Sequence, residues 1–181
     1  MQLETDRLLL RDFREDDWPA LAAYWDDPRY LRYLPDYDDI EQVVREFVAS
    51  FVAAQSDQPR RTWQLAIIRR DDGRLIGSCG IRIDDPQLGE ANIGYELNPE
   101  DWDQGFATEA ARAILDFGFG ELALHRIYAD CIADNAGSAK VMEKLGMRRE
   151  GHLRQNQRFK ERWWDTLIYA VLDHEWRALS R

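Results

Sequence analysis

The apolar residues at the N-terminal end predict a strand followed by a helix. Leu3–Phe13 contains three consecutive leucines and fits a buried strand. The acidic cluster Glu15–Asp17 then predicts a helix N-terminus, because carboxylates stabilise the positive end of a helix dipole. Apolar positions recur there at helical spacing: Trp18, Leu21, Ala22 and Trp25. Pro28–Pro35, rich in proline and tyrosine, predicts a loop.

The next stretch predicts a second helix and three strands. An amphipathic stripe indicates the helix: Ile40, Val43, Val44, Phe47, Val48 and Phe51. Trp63–Ile68 and Leu75–Ile83 flank an Asp-Asp-Gly sequence that is typical of a hairpin turn. Gly77 and Gly80 weaken the second strand, so we expect a bulge or a close approach of the backbone there. Ala91–Leu97 predicts the third strand.

The C-terminal half predicts a helix, a strand, a helix and two long strands. Small and branched residues form the stripe of the first helix: Ala107, Ala110, Ala111, Ile114, Leu115 and Gly118. Ile127–Ile132 fits a strand, and the helix after it ends at Gly146, a residue type favoured just after helices. Arg148–Arg158 and Trp163–Leu172 fit two strands with a charged connection.

This order of elements, β-α-α-β-β-β-α-β-α-β-β, indicates an α/β fold with one mixed sheet and helices packed on it. The chain has 181 residues, of which 45% are hydrophobic, enough for a sizeable core. We therefore expect residues 1–181 to form a single domain.

Charge and cysteine usage exclude several classes of function. The net charge of −10 argues against a nucleic-acid partner, and suits either a cationic substrate or solubility alone. No apolar run approaches the ~20 residues of a membrane span, and no signal peptide is recognisable, so we expect a cytoplasmic protein without a membrane partner. The His and Cys spacing matches no metal site, and we expect Cys79 and Cys131 to be buried thiols.

Ile93–Ala111 is the most informative stretch of the chain. A predicted strand runs into a loop whose Gly105 precedes a helix that begins with small residues. Free N–H groups at such a helix N-terminus bind phosphate, and Gly105 and Ala107 leave room for a ligand. An ordinary strand, turn and helix is the alternative interpretation. The sequence matches neither a Walker loop nor a dinucleotide-binding glycine motif.

Ala133–Met147 supports two interpretations. Asn135 is a favoured N-cap residue and Ser138 lies in the first turn, so helix capping alone explains both. Alternatively, Asn135 and Ser138 point into a cleft at that helix N-terminus.

Taken together, these stretches resemble the GNAT N-acetyltransferase superfamily. IGYELNPEDWDQGFATEA resembles its first cofactor-binding segment and NAGSAKVMEKLGMRREG its second. LETDRLLLRDF and LIGSCGI resemble two strands of the group that acetylates the N-termini of ribosomal proteins, the Rim-type enzymes. The resemblance covers about residues 3 to 175 and implies a GNAT-like fold, with a mostly antiparallel sheet splayed at a cofactor cleft.

The resemblance implies that acetyl-CoA binds between two splayed strands, Asn92–Leu97 and Ile127–Ile132. The pantetheine arm would pair with the backbone of the first strand, and the pyrophosphate would lie on the following loop. Trp102 stands where the superfamily usually has Gln or Arg, which is compatible with contacts made mainly by backbone N–H groups. The cofactor-binding residues implied are Tyr95, Glu96, Leu97, Trp102, Asp103, Gln104, Gly105, Phe106, Ala107, Thr108, Asn135 and Ser138.

The resemblance also implies direct attack by an amine in a ternary complex, without a covalent enzyme intermediate. Many relatives have a tyrosine acid where this chain has Met142, so Ser138 is the candidate acid that protonates the leaving thiolate. Glu96 is the candidate base, and the alternative interpretation is that Glu96 is only a solvated strand carboxylate. If side chains alternate, Glu96 and Tyr95 face opposite sides of the strand. Glu150 and Asp165 are the other candidate carboxylates.

The acceptor site is expected between the first two helices, as is common in this superfamily. Tyr30, Tyr33 and Tyr37 lie there, and a tyrosine-rich surface loop is the equal alternative. Adjacent strand residues face opposite sides, so one member of Trp163–Trp164 points outward, toward the acceptor groove or another subunit. We take Trp164 as the acceptor-site candidate.

The leading hypothesis is an acetyl-CoA-dependent N-acetyltransferase that requires no metal. Its acceptor would be a primary amine, either a protein N-terminus or a small molecule such as a polyamine, amino acid or aminoglycoside. The missing tyrosine acid keeps open a non-catalytic acyl-CoA-binding sensor or regulatory module. An interaction domain that binds no cofactor ranks last, because Gly105, Ala107 and Asn135 are all retained. A homodimer is implied by similarity alone.

Overall fold

A computed structural model of the chain describes residues 1–179 and contains eight strands. They are β1 (Gln2–Glu4), β2 (Leu8–Asp12), β3 (Thr62–Arg69), β4 (Leu75–Asp85), β5 (Glu90–Leu97), β6 (Arg126–Ile132), β7 (Arg148–Phe159) and β8 (Arg162–Leu172). The last two residues of the predicted domain lie outside the described residues.

The helices pack on both faces of the sheet that these strands form. They are α1 (Trp18–Trp25), α2 (Pro28–Leu31), α3 (Ile40–Ala54), α4 (Phe106–Gly120), α5 (Ala136–Lys144) and α6 (Asp173–Leu179). Two short 3-10 turns, Glu15–Asp17 and Pro99–Asp101, precede α1 and the loop before α4.

All eight strands belong to one sheet in the order β1-β2-β3-β4-β5-β6-β8-β7. Every neighbouring pair is antiparallel except β5 and β6, which are parallel. These two pair only through Glu90, Ala91 and Asn92 of β5. The mixed α/β fold and its splayed centre are therefore confirmed.

Strand alternation divides the core into two clusters. On β3, Leu65 and Ile67 pack with the cluster that includes α4, whereas Ala66 between them packs with α1 and α3. Small residues let α4 lie close to the sheet. At Gly118, a Cβ would come within 3 Å of the side chains of both Ile127 and Ile81.

Three predictions about elements were wrong in detail. Leu3–Phe13 forms two antiparallel strands, because Thr5 makes a turn in which its hydroxyl accepts a hydrogen bond from the Leu8 N–H at 3.0 Å. Pro28–Pro35 contains the helix α2, since Asp27 caps it by accepting the Arg29 N–H at 2.7 Å. The helix α6 was missed, although its first turn is acidic and Trp176 is buried.

Candidate functional site

A cleft opens between β5 and β6 where their pairing stops, after Asn92 and Tyr128. Beyond that point β5 continues to Leu97 and pairs with β4 alone. Within residues 1–179, the backbone groups on the other edge of β5 thus have no partner strand. Because β5 and β6 are parallel, the helices that follow them, α4 and α5, begin at the same end of the cleft.

The N-terminus of α4 supplies backbone donors at this end. Gly105 is the N-cap residue with a φ of +83°, a left-handed conformation that a Cβ disfavours. The first intrahelical bond runs from the Glu109 N–H to the Gly105 carbonyl at 3.0 Å. The preceding N–H groups, Phe106–Thr108, lie in the first turn, where a helix offers no acceptor. This end of α4 therefore suits an anion.

Side chains hold the loop before α4 in place. The Trp102 indole N–H donates to the Leu97 carbonyl at 2.9 Å, and the ring remains 40% exposed. Arg7 donates to the Gln104 carbonyl at 3.0 Å, and its guanidinium lies 4.4 Å from the centre of the Phe106 ring. The same guanidinium forms an ion pair with Glu109 of α4 at 2.6 Å, so Arg7 ties the first turn of the helix to the loop before it.

The buried side chain of Asp101 anchors the same loop. It is 1% exposed, and its Oδ1 accepts from Arg69 at 3.1 Å and from Arg74 at 3.3 Å. Arg69 is the last residue of β3, and Arg74 directly precedes β4. The loop before α4 is therefore fixed to the β3–β4 hairpin by a buried carboxylate.

Tyr95 and Ser138 meet across the cleft. The Tyr95 hydroxyl donates to the Ser138 carbonyl at 2.9 Å and lies 3.0 Å from the Ser138 Oγ. Burial raises the pKa of Tyr95, so its hydroxyl remains protonated at neutral pH. Asn135 caps α5 by accepting the Ser138 N–H at 3.2 Å, as the capping interpretation expected. Asn135 and Ser138 are both partly exposed at the cleft.

Glu96 lies on the opposite face of β5 from Tyr95, as the alternation predicts. Its Oε1 accepts the Ser78 hydroxyl at 3.0 Å, and its Oε2 accepts the Tyr30 hydroxyl. Burial raises the pKa of Glu96 above that of an ordinary carboxyl, and these donors oppose the shift. Tyr37 lies near enough for the Glu96 charge to raise its pKa further, beyond the effect of burial. The alternative interpretation of Glu96, a solvated strand carboxylate, does not describe this environment.

Tyr33 and Trp164 form a separate group near the end of β6. The Tyr33 hydroxyl donates to the Asp134 carbonyl at 2.9 Å, and its ring meets Trp164 edge-on at 6.0 Å. Trp164 is only 7% exposed and stacks on Phe159 at 5.0 Å. The outward member of the pair is Trp163, at 53% exposed. The outward tryptophan is therefore Trp163, and the choice of Trp164 was wrong, because its ring packs against Tyr33 and Phe159.

The two other candidate carboxylates are engaged elsewhere. Glu150 forms an ion pair with Arg126 at 2.5 Å. Asp165 accepts from His152 at 2.6 Å and from the Gln155 N–H at 2.8 Å. Of the three carboxylates considered, Glu96 is the one that contacts the predicted acceptor tyrosines.

Cys79 and Cys131 are free, buried thiols. Burial raises the pKa of Cys79 to about 12 and that of Cys131 to about 11, so neither is ionised at neutral pH. In the described part of the chain, no group of His, Cys, Asp and Glu side chains has the arrangement of a metal site. None of the described helices is long and apolar enough to cross a membrane.

Comparison with known proteins identifies the family. The model of the acetyltransferase (GNAT) domain matches residues 7–148. The chain belongs to the GNAT acetyltransferase family. It is 36% identical over 178 residues to the uncharacterized N-acetyltransferase YnaD of Bacillus subtilis, covering 97% of this chain and 99% of that protein. With such relatives, the chain is an N-acetyltransferase.

Solved GNAT structures share the whole fold. An acetyltransferase (GNAT family) from Bacillus anthracis has a TM-score of 0.83 and 34% identity, covering 97% of this chain and all of that one. A ribosomal-protein-S5-alanine acetyltransferase from Vibrio fischeri has a TM-score of 0.83 at 21% identity, covering 97% and 98%. The microcin C7 self-immunity acetyltransferase MccE, in complex with acetyl-CoA and AMP, has 0.80 at 19% identity, covering 93% of both chains. The last two likenesses show the fold alone.

Sequence reasoning missed several residues around this GNAT site. Ser78 contacts Glu96 because the two residues are direct partners in the β4–β5 register, which the sequence does not fix. Trp25 was assigned to core packing and Tyr24 was not considered, yet both side chains lie beside the Glu96 carboxyl and lower its pKa, against the effect of burial. A signal for this role was the placement of polar-tipped aromatic residues at the end of an apolar stripe.

We expect Asp101→Asn to lower the free energy of unfolding by about 1–3 kcal/mol, because it removes a buried charge that two arginines pair with. Urea unfolding measures the change. The control is Asp71→Asn, an exposed partner of the same Arg69, for which we expect less than about 0.5 kcal/mol. Equal decreases in the free energy of unfolding of the two variants would show that the buried Asp101 carboxylate stabilises the fold no more than an exposed one.

Proposed function

We propose that this GNAT enzyme transfers the acetyl group of acetyl-CoA to a primary amine that approaches from the side of the sheet covered by α1 and α2. One observation carries the proposal. The unpaired edge of β5 runs between Glu96, which faces the predicted acceptor tyrosines, and Tyr95, which faces Ser138 on α5. A base and an acid on opposite sides of one cleft suit proton transfer between acceptor amine and leaving thiol.

The cleft fits the elongated, anionic shape of acetyl-CoA. The free edge of β5 offers backbone groups that can pair with the amides of the pantetheine arm. The first turn of α4 and the loop from Trp102 to Gly105 offer N–H groups for the pyrophosphate. When bound, acetyl-CoA supplies an acetyl group activated as a thioester. MccE, a neighbour in fold, binds acetyl-CoA in its own structure.

Glu96 is the proposed general base. An amine attacks only after losing a proton, and an α-amine, with an ordinary pKa of ~8, loses it more readily than a lysine-like amine at ~10.4. The pKa of Glu96, raised by burial, makes the carboxylate a stronger base than an exposed one. The ionised carboxylate also suits the positive charge of an incoming ammonium group.

Ser138, with Tyr95, is the proposed acid. As the new N–C bond forms and the C–S bond breaks, the thiolate requires a proton. The two hydroxyls lie 3.0 Å apart, so rotation of the Tyr95 hydroxyl from the Ser138 carbonyl to the Ser138 Oγ lets it replace a proton that Ser138 gives up. This pair takes the place of the tyrosine expected at Met142, whose side chain is fully buried in the core.

We propose that the acceptor is a protein N-terminal α-amine or a small primary amine. Tyr30 and Tyr37 border Glu96, while Tyr33 and Trp164 border the end of β6. Aromatic rings beside a carboxylate favour a cationic group, through both charge and cation–π contact. The fold shared with a ribosomal-protein acetyltransferase is compatible with an N-terminal acceptor and does not select it over a small amine.

For the cofactor, we expect Gln104→Glu to raise the Kd for acetyl-CoA about fivefold, because a new carboxylate beside the pyrophosphate repels it by ~1 kcal/mol. Isothermal titration calorimetry measures the Kd. The control is Gln87→Glu, which makes the same charge change in an exposed loop between β4 and β5 and leaves the Kd unchanged. A shift of equal size in both variants would place the cofactor elsewhere.

For the base, we expect Glu96→Gln to lower kcat by about 10²–10⁴-fold, since an amide cannot accept the proton, while acetyl-CoA still binds. Thiol release is followed with a panel of peptides bearing free α-amines and of small primary amines. Glu150→Gln and Asp165→Asn are matched controls and should retain wild-type turnover. Full turnover by Glu96→Gln would exclude it as the base. Intact acetyl-CoA binding without thiol release from any amine would favour the acyl-CoA-binding module.

A further inference from the structure

A buried chain of hydrogen bonds leads from Arg82 to Glu96 through the sheet face that α1 and α3 cover. The Arg82 Nη2 donates to Gln64 Oε1 at 2.8 Å, and the Gln64 Nε2 donates to the Ser78 Oγ at 2.9 Å. The Ser78 hydroxyl then donates to Glu96 Oε1 at 3.0 Å. Gln64 is 4% exposed and Ser78 is fully buried, so water has little access to the two middle residues.

The chemistry of these groups gives the chain one direction. A guanidinium can only donate, so the oxygen of the Gln64 amide faces Arg82 and its NH₂ group faces Ser78. Ser78 then accepts from Gln64, and its own proton is left for Glu96. A donated hydrogen bond favours the ionised form of a carboxyl. Arg82, on the strand next to that of Glu96, thereby fixes the orientation of the Gln64 amide, so that the hydroxyl of Ser78 donates to the carboxylate.

The glycines of β4 and β5 make room for this chain. A Cβ on Gly80 would overlap the Gln64 side-chain oxygen and the backbone of β3. Gly94 is the partner of Gly80 in the β4–β5 register, and a Cβ there would lie 3.4 Å from the Arg82 guanidinium. The close approach expected at Gly80 is thus the passage that lets Gln64 reach across the strand.

We propose that Arg82, Gln64 and Ser78 are positioning residues that orient the Glu96 carboxyl toward the acceptor side and favour its ionised form. The proposal rests on the proposed role of Glu96 as the base. It adds that the orientation and proton affinity of Glu96 are set from the interior of the sheet, and not by the acceptor-side tyrosines alone.

The groups that face the Glu96 carboxyl come from α1, α2, the segment after α2 and β4. They are Tyr24, Trp25, Tyr30, Tyr37 and Ser78. None of these five carries a charge at neutral pH, so the one formal charge connected to Glu96 by this chain is that of Arg82. Loss of the Ser78 donor therefore leaves a more basic carboxyl.

The test is a titration of Glu96 in the ligand-free protein by carboxyl ¹³C NMR, with the Glu96 signal assigned by its absence in Glu96→Gln. We expect Ser78→Ala to raise the titration midpoint by about one pH unit, the effect of one hydrogen bond to a charged group. Gln64→Glu should raise it as well, because Ser78 then donates to the new carboxylate, which keeps Arg82 paired.

Thr5→Ala is the matched control, because Thr5 also donates a hydroxyl to a glutamate, Glu109, at 2.6 Å. It should leave the Glu96 midpoint unchanged. A wild-type midpoint in Ser78→Ala would overturn the proposal whatever Gln64→Glu shows, because the added charge of Gln64→Glu repels Glu96 by itself. Because the readout requires no substrate, this result is separate from a failure of Glu96 as the base, which the turnover of Glu96→Gln reports. If Gln64→Glu does not fold, Ser78→Ala, which only removes an oxygen, decides alone.

Discussion

The parallel pairing of β5 and β6 stops after three residues, and the rest of the site depends on that interruption. If the pairing continued, the backbone groups of β5 would bond to β6, and no cleft would open between the strands that precede α4 and α5. Instead, the N-termini of α4 and α5 lie beside the C-terminal halves of β5 and β6, which are not paired with each other. The sheet remains intact because β5 is held on its other side by β4 and β6 by β8, both over long antiparallel ladders.

The two faces of β5 carry different chemistry because side chains alternate along a strand. Tyr95 points to α5 and Ser138, and Glu96 points to α1 and α2. Adjacent residues of one strand therefore serve opposite sides of the cleft with little freedom to exchange roles. The helices that cover the Glu96 side supply aromatic residues with polar tips, so the carboxyl is desolvated and hydrogen bonded at once.

Much of this arrangement could be predicted from the sequence, because it depends on periodicity and on local turn chemistry. The stripe from Ile40 to Phe51 and the Gly105 turn before α4 both lie where the pattern puts them. The helix α2 was missed because proline and tyrosine usually indicate a loop, and a single Asp27 cap reverses that expectation. Which of Trp163 and Trp164 faces outward depends on packing against Tyr33 and Phe159, contacts that no sequence spacing specifies. Sequence spacing likewise does not specify the hydrogen bonds that connect Arg82 to Glu96, because they join side chains of three strands, β3, β4 and β5.

We propose that the open edge of β5 and the N-terminus of α4 together form the cofactor site. Backbone hydrogen exchange of the protein with and without saturating acetyl-CoA tests it most directly, because amides that donate to a ligand exchange more slowly. We expect slowed exchange in peptides spanning 93–97 and 102–108, with the β7–β8 hairpin unchanged. Unaltered exchange in both of those peptides, despite bound acetyl-CoA, would show that the cofactor binds elsewhere.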